Sequence, residues 1–484
     1  TPGSTGAGGN NIILGGGHMN DNDNYLQSYM AEARFTFNPG TPDLFTWNTG
    51  TITNYDIGRV YTTSGNDRLI QLGNIDLRTT NAVAGSGQEG VLFFQVDSAR
   101  ALTRTGTVTL HDNYLLHAEA GSYGPGSTTG VQFGSGAGTG GLDNQGQFDF
   151  RKVGDAMLVL GDNSGTFTGG RRFTIGEGGV RVMANGAFGD ASINAIIDST
   201  GALEIATSNW SPTATLTQAA GSIERWAVSD ARGTGNYSLP EGVHLQVFAD
   251  LAGTRTIDLD GGAIMGYLPL DYDQVAVIQT IRSGVTINLT DDSYLGQIYP
   301  AGTSNGQNGY FYDMGKLNTT LNLNPNDNGL RGSYLQIDGN ITGNFDLTKV
   351  GQDLIKLSGT GNTYGNTIIE NGILQIGNHN VLPAAGTLTT KLIGMFDLNG
   401  YNQEVGGLAG DGGSINNGGF DNNVLSVNQA ADTTYSGLVN GNVTLLKKGA
   451  GKLTLTSANN YRGGTVFEGG ILSVSQASNL GYSS

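Results

Sequence analysis

The chain contains 484 residues, 80 of them Gly, and only 13% are charged, which is about half the fraction usual in globular proteins. The lack of Cys excludes disulfides, thiolate metal sites and cysteine catalysis, and a net charge of −17 with only 24 Lys and Arg argues against direct nucleic-acid binding. No run approaches the ~18 consecutive apolar residues that a membrane-spanning helix requires.

Residues 1–140 are the least repetitive part of the sequence and predict an irregular, β-rich N-terminal cap or lateral insertion. Such a cap would cover the strand edges that the open end of a repetitive β-structure leaves unpaired. Within this region, Tyr25–Arg34 is the one stretch whose pattern favours a helix.

The densest cluster of oxygen-bearing side chains lies at residues 20–24, where Asn and Asp alternate. Calcium favours such ligands in flexible loops, so Asp21 and Asp23 are candidate metal ligands and calcium is the one candidate cofactor. The later Gly and bidentate Glu of an EF-hand loop are missing. A polar turn without a metal is the competing interpretation.

From residue 141 to residue 484 the sequence is repetitive, and one pattern recurs near residues 152–182, 349–376 and 447–474. Each copy has a Lys, an alternating apolar pair, an aromatic residue, a Glu with Gly close behind it, and a second apolar run. Because this order is kept while other positions drift, it indicates a structural unit and not a catalytic one. The Lys, apolar pair, aromatic residue and Glu of the three copies are Lys152, Leu158, Leu160, Phe167 and Glu177; Lys349, Ile355, Leu357, Tyr364 and Glu370; and Lys447, Leu453, Leu455, Tyr461 and Glu468.

Short runs of alternating apolar residues, separated by Gly, Asn or Asp, recur about every twenty residues. This spacing predicts an all-β solenoid in which each coil contributes two or three short strands. One face of each strand would point inward, as at Leu453 and Leu455, and stacked coils would bury a continuous apolar column. The repeated Lys and Glu are expected at corners, pointing to solvent.

A β-helix can also carry polysaccharide hydrolases or lyases, so paired carboxylates are the candidates for catalysis. Residues two apart on a strand share a face, but Asp is also common in turns, and we interpret the pairs as structural and predict no catalytic residue. No His has the spacing of a zinc site or of a base beside a nucleophile. The Trp residues are expected to be core or cap anchors, with a carbohydrate-stacking platform as the alternative. The residues concerned are Asp258 with Asp260, Asp271 with Asp273 and Asp291 with Asp292; His18, His111, His117, His244 and His379; and Trp47, Trp210 and Trp226.

The third copy, Lys447–Leu472, reads KKGAGKLTLTSANNYRGGTVFEGGIL and resembles the passenger-associated transport repeat, also called the autotransporter-associated β-strand repeat. The segment Phe396–Asn417, FDLNGYNQEVGGLAGDGGSINN, is similar to the stretch that commonly precedes this repeat. The resemblance implies a right-handed parallel β-helix in a protein displayed on the outer surface of Gram-negative bacteria.

These features together predict a non-enzymatic extracellular protein, an elongated β-solenoid scaffold for adhesion, matrix formation or self-assembly. Exposed Asn, Thr and Tyr would make its contacts, and the expected partners are copies of itself or glycans and proteins of a host or matrix. The expected location is extracellular, at the cell surface or associated with the outer membrane. A self-associating subunit of a filament, sheath or surface layer is one alternative, and a polysaccharide hydrolase or lyase is another.

Overall fold

Over the residues that it describes, the computed structural model is all-β apart from one 3-10 turn, Ala477–Leu480. It describes residues 32–37, 59–60, 68–71, 74–79, 90–96, 101–104, 107–111, 113–120, 130–133, 141–154, 157–161, 167–184, 194–208, 210, 215–233, 235–247, 249–267, 278–298, 334–351, 354–391 and 393–482.

Contacts divide the chain into two compact units, residues 1–233 with 300–316 and residues 234–299 with 317–484. In the first unit the strands pair in parallel, for example β1 with β4 and β13 with β14. Its strands are β1 (Glu32–Phe37), β2 (Arg59–Val60), β3 (Arg68–Gln71), β4 (Asn74–Thr79), β5 (Gly90–Val96), β6 (Ala101–Arg104), β7 (Val108–Leu110), β8 (Tyr114–Ala120), β9 (Gly130–Phe133), β10 (Leu142–Asp143), β11 (Phe150–Val153), β12 (Met157–Leu160), β13 (Arg172–Val182), β14 (Asn194–Ile205), β15 (Thr215–Gln218) and β16 (Ile223–Trp226).

The second unit is likewise built of short parallel strands. They are β17 (Tyr237–Leu239), β18 (His244–Val247), β19 (Arg255–Leu259), β20 (Ala263–Tyr267), β21 (Ile278–Ile281), β22 (Val285–Leu289), β23 (Ser293–Ile298), β24 (Tyr334–Ile337), β25 (Ile341–Gly343), β26 (Leu347–Lys349), β27 (Leu354–Leu357), β28 (Thr367–Ile369), β29 (Ile373–Ile376), β30 (Thr387–Thr390), β31 (Met395–Asp397), β32 (Gln403–Val405), β33 (Gly407–Gly410), β34 (Ser414–Asn416), β35 (Asn423–Asn428), β36 (Thr433–Tyr435), β37 (Leu438–Val439), β38 (Val443–Lys448), β39 (Lys452–Leu455), β40 (Thr465–Phe467) and β41 (Ile471–Val474).

Each strand of a coil pairs with the matching strand of the next coil, which gives the parallel β-solenoid predicted from the repeats. Across the later coils of the second unit, hydrogen bonds between consecutive coils join residues 20 to 22 positions apart, as between Asp346 and Asn366, which confirms the recurrence near twenty residues there. Alternate side chains face inward, so Leu453 and Leu455 on β39 are fully buried. Burying each such side chain contributes roughly 1.5–3 kcal/mol.

The N-terminal region differs from the sequence-based expectation where it is described. Glu32–Phe37 forms strand β1, which pairs in parallel with β4, so the helix predicted over Tyr25–Arg34 is wrong for its last residues. A run of alternating residues that ends in Phe35 and Phe37 suits a pleated strand, and pairing with β4 overrides a local helical pattern. The division of the chain at residues 140 and 141 stays a prediction.

The repeated Lys residues are buried, and the prediction that they point to solvent was wrong. Lys152, Lys349 and Lys447 are at most 1% exposed. The Lys447 ammonium donates to the carbonyls of Lys448, Gly449 and Gly469 at 2.6, 3.1 and 3.0 Å. An ammonium has three donors, so a triad of turn carbonyls satisfies it completely. The prediction for Glu is confirmed at Glu177 and Glu468, which are exposed.

Lys349 repeats this arrangement one repeat earlier. Its ammonium donates to the carbonyls of Val350, Gly351 and Asn371 at 2.9, 2.7 and 3.0 Å. Lys152 in the first unit donates to the carbonyl of Glu177 at 2.9 Å. In every copy the last carbonyl belongs to the following coil, so the repeated Lys joins one coil to the next.

The first unit contains a buried ion network around Glu224, which is fully buried. Arg232 donates from Nε to Oε1 of this carboxylate at 2.7 Å, and Trp226 donates from Nε1 to the same oxygen at 2.8 Å. The Arg232 guanidinium also lies 4.7 Å from the ring centroid of Trp210, a cation–π contact. Trp210 and Trp226 are fully buried, which confirms the prediction of core anchors, whereas Trp47 lies outside the described residues.

Three buried Tyr hydroxyls face Thr hydroxyls in the second unit. Tyr364 lies 2.9 Å from Thr367 and Tyr461 lies 2.5 Å from Thr465, so the aromatic position of the repeat carries a satisfied hydroxyl. Tyr435 accepts a hydrogen bond from Thr390 at 3.2 Å. Burial raises the pKa of Tyr364, Tyr435 and Tyr461 above the usual value, because desolvation disfavours the phenolate.

These Tyr residues should make the fold sensitive to alkali. Above pH ~10 the unfolded chain loses the Tyr protons that the folded chain retains, so the free energy of unfolding falls as the pH rises, by up to about 1.4 kcal/mol per pH unit for each Tyr. Tyr435→Phe removes one such proton, and urea unfolding at about pH 9 to 12 should show a shallower fall than for the wild type.

Lys447 acts in the opposite direction, because burial lowers the pKa of its ammonium and the unfolded chain then binds the extra proton. Comparing Tyr435→Phe with the wild type cancels this contribution, since both proteins contain Lys447. Equal slopes in the two proteins would show that the Tyr435 hydroxyl ionises normally in the folded state.

Candidate binding surface

Outward-facing side chains of the second unit line up in rows, because consecutive coils pair in register. One row crosses β23, β26, β28, β30, β33, β36, β39 and β41, and none of its side chains carries a charge. We call it the uncharged row. In coil order it consists of Tyr294, Thr348, Ile368, Thr389, Ala409, Thr434, Thr454 and Ser473.

The uncharged row is accessible and regular. Tyr294 is 42% exposed, and Thr454 is half-buried between the inward-facing Leu453 and Leu455. Neighbouring coils lie ~4.7–4.9 Å apart, and each Thr or Ser hydroxyl can both donate and accept a hydrogen bond. Six of the eight side chains therefore offer a hydroxyl, with gaps at Ile368 and Ala409, and the row contains no Lys or carboxylate that would select a charged partner.

Asn side chains stack along one corner of the same unit and link the turns of successive coils. We call the residues Asn402, Asn417, Asn423 and Asn442 the asparagine corner. Asn417 accepts from the Gly400 amide at 2.8 Å and donates to the carbonyl of Asn442 at 2.8 Å. Asn423 donates to the carbonyl of Gly400 at 2.9 Å, and Asn402 accepts from the Val424 amide at 2.9 Å. The side-chain amides of these Asn residues form hydrogen bonds with backbone N–H and C=O groups of the turns, which have no partner in a neighbouring strand. Successive turns are thereby held in one conformation.

The Asp pairs considered for catalysis make contacts typical of structural residues. Asp258 accepts from the Asn288 side chain at 2.8 Å, on neighbouring outward positions of β19 and β22. Asp291 accepts from the Asp292 amide at 2.7 Å, and Asp292 accepts from the Asp346 amide at 2.8 Å, as in turn caps. Asp260 is exposed beyond the end of β19. Asp271 and Asp273 lie outside the described residues.

Neither His244 nor His379 is hydrogen-bonded to a nucleophilic side chain. His244 on β18 is buried, and desolvation lowers its pKa to about 4, so it is neutral near pH 7. His379 is exposed and accepts the Asn402 amide at Nδ1, at 3.0 Å. The side chain of His117, like the whole of His18, lies outside the described residues.

Within the described ranges no group of three or more His, Asp or Glu side chains is placed to hold a metal ion. Asp21 and Asp23 lie outside those ranges, so calcium at this position stays a prediction. None of the described helical segments is long and apolar enough to cross a membrane.

The prediction that exposed Asn, Thr and Tyr make the contacts with a partner named no individual residue and stays a prediction, and the uncharged row is a regular set of such outward positions. Its members lie near the middle of short strands about one coil apart, as Thr434 and Thr454 do. Aligning the sequence at the coil spacing would have revealed the row, because uncharged residues then fall at one outward position over many coils.

Two segments, residues 347–376 and 445–474, match the passenger-associated-transport-repeat family. They coincide with the second and third copies of the repeat and include Lys349 and Lys447, whose ammonium groups join successive turns. The matched residues thus correspond to a structural device of the solenoid.

Two curated relatives are similar to part of the chain. The Adhesin BmaC autotransporter of Brucella suis biovar 1 (strain 1330) is 26% identical over 212 residues, which are 40% of this chain and 6% of BmaC. The serine protease EspP of Escherichia coli is 34% identical over 118 residues, which are 23% of this chain and 9% of EspP. The chain therefore matches only a small part of each relative. No solved structure matches it.

The family match, the similarity to an autotransporter adhesin and the parallel solenoid agree with the resemblance noted in the sequence. Like the autotransporters to which it is similar, this chain is extracellular, at the cell surface or associated with the outer membrane. The chain is similar to autotransporter passengers and carries passenger-associated transport repeats in the two matched segments.

Proposed function

We propose that the chain is a non-enzymatic adhesive scaffold, whose regular outward rows contact glycans or proteins of a host or matrix. The uncharged row is the observation that carries this proposal, because it runs over consecutive coils and offers hydroxyl groups without a charged side chain. A binding surface of this kind is extended and repetitive, so many weak contacts can add up to a strong attachment.

The relatives support adhesion and leave enzymatic activity as the competing function. One relative is named an adhesin and the other a serine protease. Adhesion is favoured for this chain because neither His244, which is buried, nor His379, which accepts a backbone amide, is hydrogen-bonded to a Ser as in a nucleophilic pair. Self-association and polysaccharide cleavage remain the alternatives that the test must distinguish.

The test uses beads coated with the purified chain and layered on immobilised neutral glycans, matrix proteins or the chain itself. We expect the beads to be retained and Thr389→Lys to reduce retention about tenfold, because it places a charge in the uncharged row. The matched control is Ser414→Lys, which adds the same charge at a half-buried outward position on β34 and should leave retention unchanged.

Parallel assays follow the release of peptides from casein and of reducing ends from polysaccharides. Cleavage by the wild-type chain would overturn the non-enzymatic proposal. Retention only on surfaces coated with the chain itself would favour the filament or surface-layer alternative. Equal retention of Thr389→Lys and Ser414→Lys would show that the uncharged row does not carry adhesion.

A further inference from the structure

Phe420 lies at the tip of a turn of the second unit and is 101% exposed, so its ring touches no other part of the described chain. The turn contains Gly418 and Gly419, and it is fixed from below because Asn442 donates to the carbonyls of Gly419 and Phe420 at 3.2 and 3.1 Å. An apolar ring held by a rigid turn in full contact with water gains nothing for folding. Its position therefore suits contact with a ligand.

Two further aromatic rings lie on the preceding turns. His379 and Tyr401 pack edge to face, with ring centroids 5.3 Å apart and an interplanar angle of 86°. Their turns stack directly, since the Asn380 amide donates to the carbonyl of Asn402 at 2.9 Å. Gly400 and Gly419 are also in close approach, because a Cβ on Gly419 would lie 2.5 Å from the Gly400 Cα. We call His379, Tyr401 and Phe420 the aromatic corner.

The polar groups beside the aromatic corner define what it can bind. The Nδ1 atom of His379 accepts the Asn402 amide, so the neutral ring carries its proton on Nε2, where it can donate to a ligand. Asn378, Asn402, Asp421 and Asn422 are exposed on the same turns and supply amide and carboxylate groups. Residues 377–380, 398–402 and 416–423 contain no Lys or Arg, and Asp421 is their one charged side chain.

We propose that the aromatic corner binds neutral oligosaccharides, with sugar rings stacked against Phe420 and Tyr401 and their hydroxyls bonded to the neighbouring amides. The apolar face of a pyranose ring packs on an aromatic ring, and its equatorial hydroxyls match the donors and acceptors of Asn and Asp side chains. Because Asp421 is the one charged side chain of these turns, the aromatic corner carries a negative charge and repels sulfated or sialylated chains. This inference rests on the proposed adhesive function and assigns it a ligand class.

The turns that carry the aromatic corner are held in place by side-chain hydrogen bonds. The asparagine corner fixes the turns that carry Tyr401 and Phe420, through the bonds of Asn417 to Gly400, Gly419 and Asn442. A ligand then meets a preformed surface and loses less free energy to ordering loops.

The experiment titrates soluble neutral tetrasaccharides, cellotetraose, maltotetraose and N-acetylchitotetraose, into the intact chain and records saturation-transfer NMR. We expect saturation transfer to at least one of them, and Phe420→Ala and Tyr401→Ala should each weaken its binding about tenfold. The matched control is Tyr482→Ala, which removes another aromatic side chain that is 63% exposed and should leave binding unchanged. Because Phe420 touches no neighbour, Phe420→Ala should unfold at the same temperature as the wild type.

Several results would overturn the inference. They are the lack of transfer to all three sugars, binding that Phe420→Ala leaves intact, a preference for a heparin tetrasaccharide, and Phe420-dependent binding to phosphatidylcholine vesicles in place of sugars. The outcome is separate from that of the adhesion test. If beads adhere through the uncharged row while Phe420→Ala changes no sugar binding, only the assignment of this corner fails; if beads adhere nowhere, the adhesive function fails whatever the sugars do.

Discussion

Replacing Lys447 by Met should lower the free energy of unfolding by about 3–5 kcal/mol, one of the two largest effects expected from a single substitution in this chain. Met keeps the length and much of the apolar contact of the Lys side chain but has no donor. The carbonyls of Lys448, Gly449 and Gly469, which belong to half-buried residues, would then lose the ammonium that they now face. Each such orphaned acceptor costs roughly 1–3 kcal/mol.

The control for this prediction lies five residues away. Lys452 is 42% exposed and lies 3.6 Å from Asp432, an exposed partner, so Lys452→Met should change stability by no more than about 0.5 kcal/mol. Urea unfolding gives the difference, and hydrogen exchange over residues 443–474 shows whether the loss is local, as expected for coils that contact only their neighbours. Equal effects of the two substitutions would mean that water replaces the Lys447 ammonium without cost.

Glu224→Gln should destabilise the first unit by a similar amount, about 3–5 kcal/mol, because it leaves a buried guanidinium without its counter-charge. The carboxylate now accepts from Arg232 at 2.7 and 3.3 Å, from Trp226 at 2.8 Å and from Gln218 at 3.1 Å. A neutral amide keeps the shape but presents an NH2 group toward donors that need an acceptor.

Asp198→Asn is the matched control for Glu224→Gln in the same unit. Asp198 and Arg151 lie 3.7 Å apart with side chains 42% and 46% exposed, so breaking this pair should cost less than about 1 kcal/mol. Thermal unfolding, followed by the fluorescence of the buried Trp210 and Trp226, reports on this region directly. If Glu224→Gln unfolds at the same temperature as Asp198→Asn, the buried network contributes to the specificity of the fold and not to its stability.

Strand type and coil length could be predicted from the sequence because they depend on local alternation. Alternate residues of a strand face inward, as Leu453 and Leu455 do on one coil and Ile355 and Leu357 on another, and this two-residue period recurs at a fixed spacing along the sequence. The last residues of Tyr25–Arg34 show the limit of this approach. Their helical pattern was overridden by pairing with β4, a partner some forty residues later that local propensity does not take into account.

The position of the repeated Lys could not be predicted from its residue type, because Lys is rarely buried and its acceptors are backbone groups that leave no mark in the sequence. The Gly469 carbonyl that accepts from Lys447 lies 22 residues further on. One signal was present nonetheless. Lys stays constant in the three copies while other surface residues drift, which is the behaviour of a residue with a fixed interior role.

The aromatic corner was missed for a related reason. His379, Tyr401 and Phe420 belong to separate turns and meet only because the coils stack. Each residue by itself is an ordinary aromatic among Asn and Gly. Their recurrence at about one coil spacing, between Asn residues, was the available signal.

The reach of the repeated Lys also determines where this chain can be divided for study. Each ammonium needs a carbonyl from the following coil, Glu177 for Lys152, Asn371 for Lys349 and Gly469 for Lys447. A fragment that keeps the Lys and loses that carbonyl would bury the ammonium without one of its hydrogen-bond acceptors. The ends of a fragment should therefore lie before a repeated Lys or after its distant carbonyl. Excising whole repeats will preserve the fold better than cutting at an exposed turn that lies between the Lys and that carbonyl.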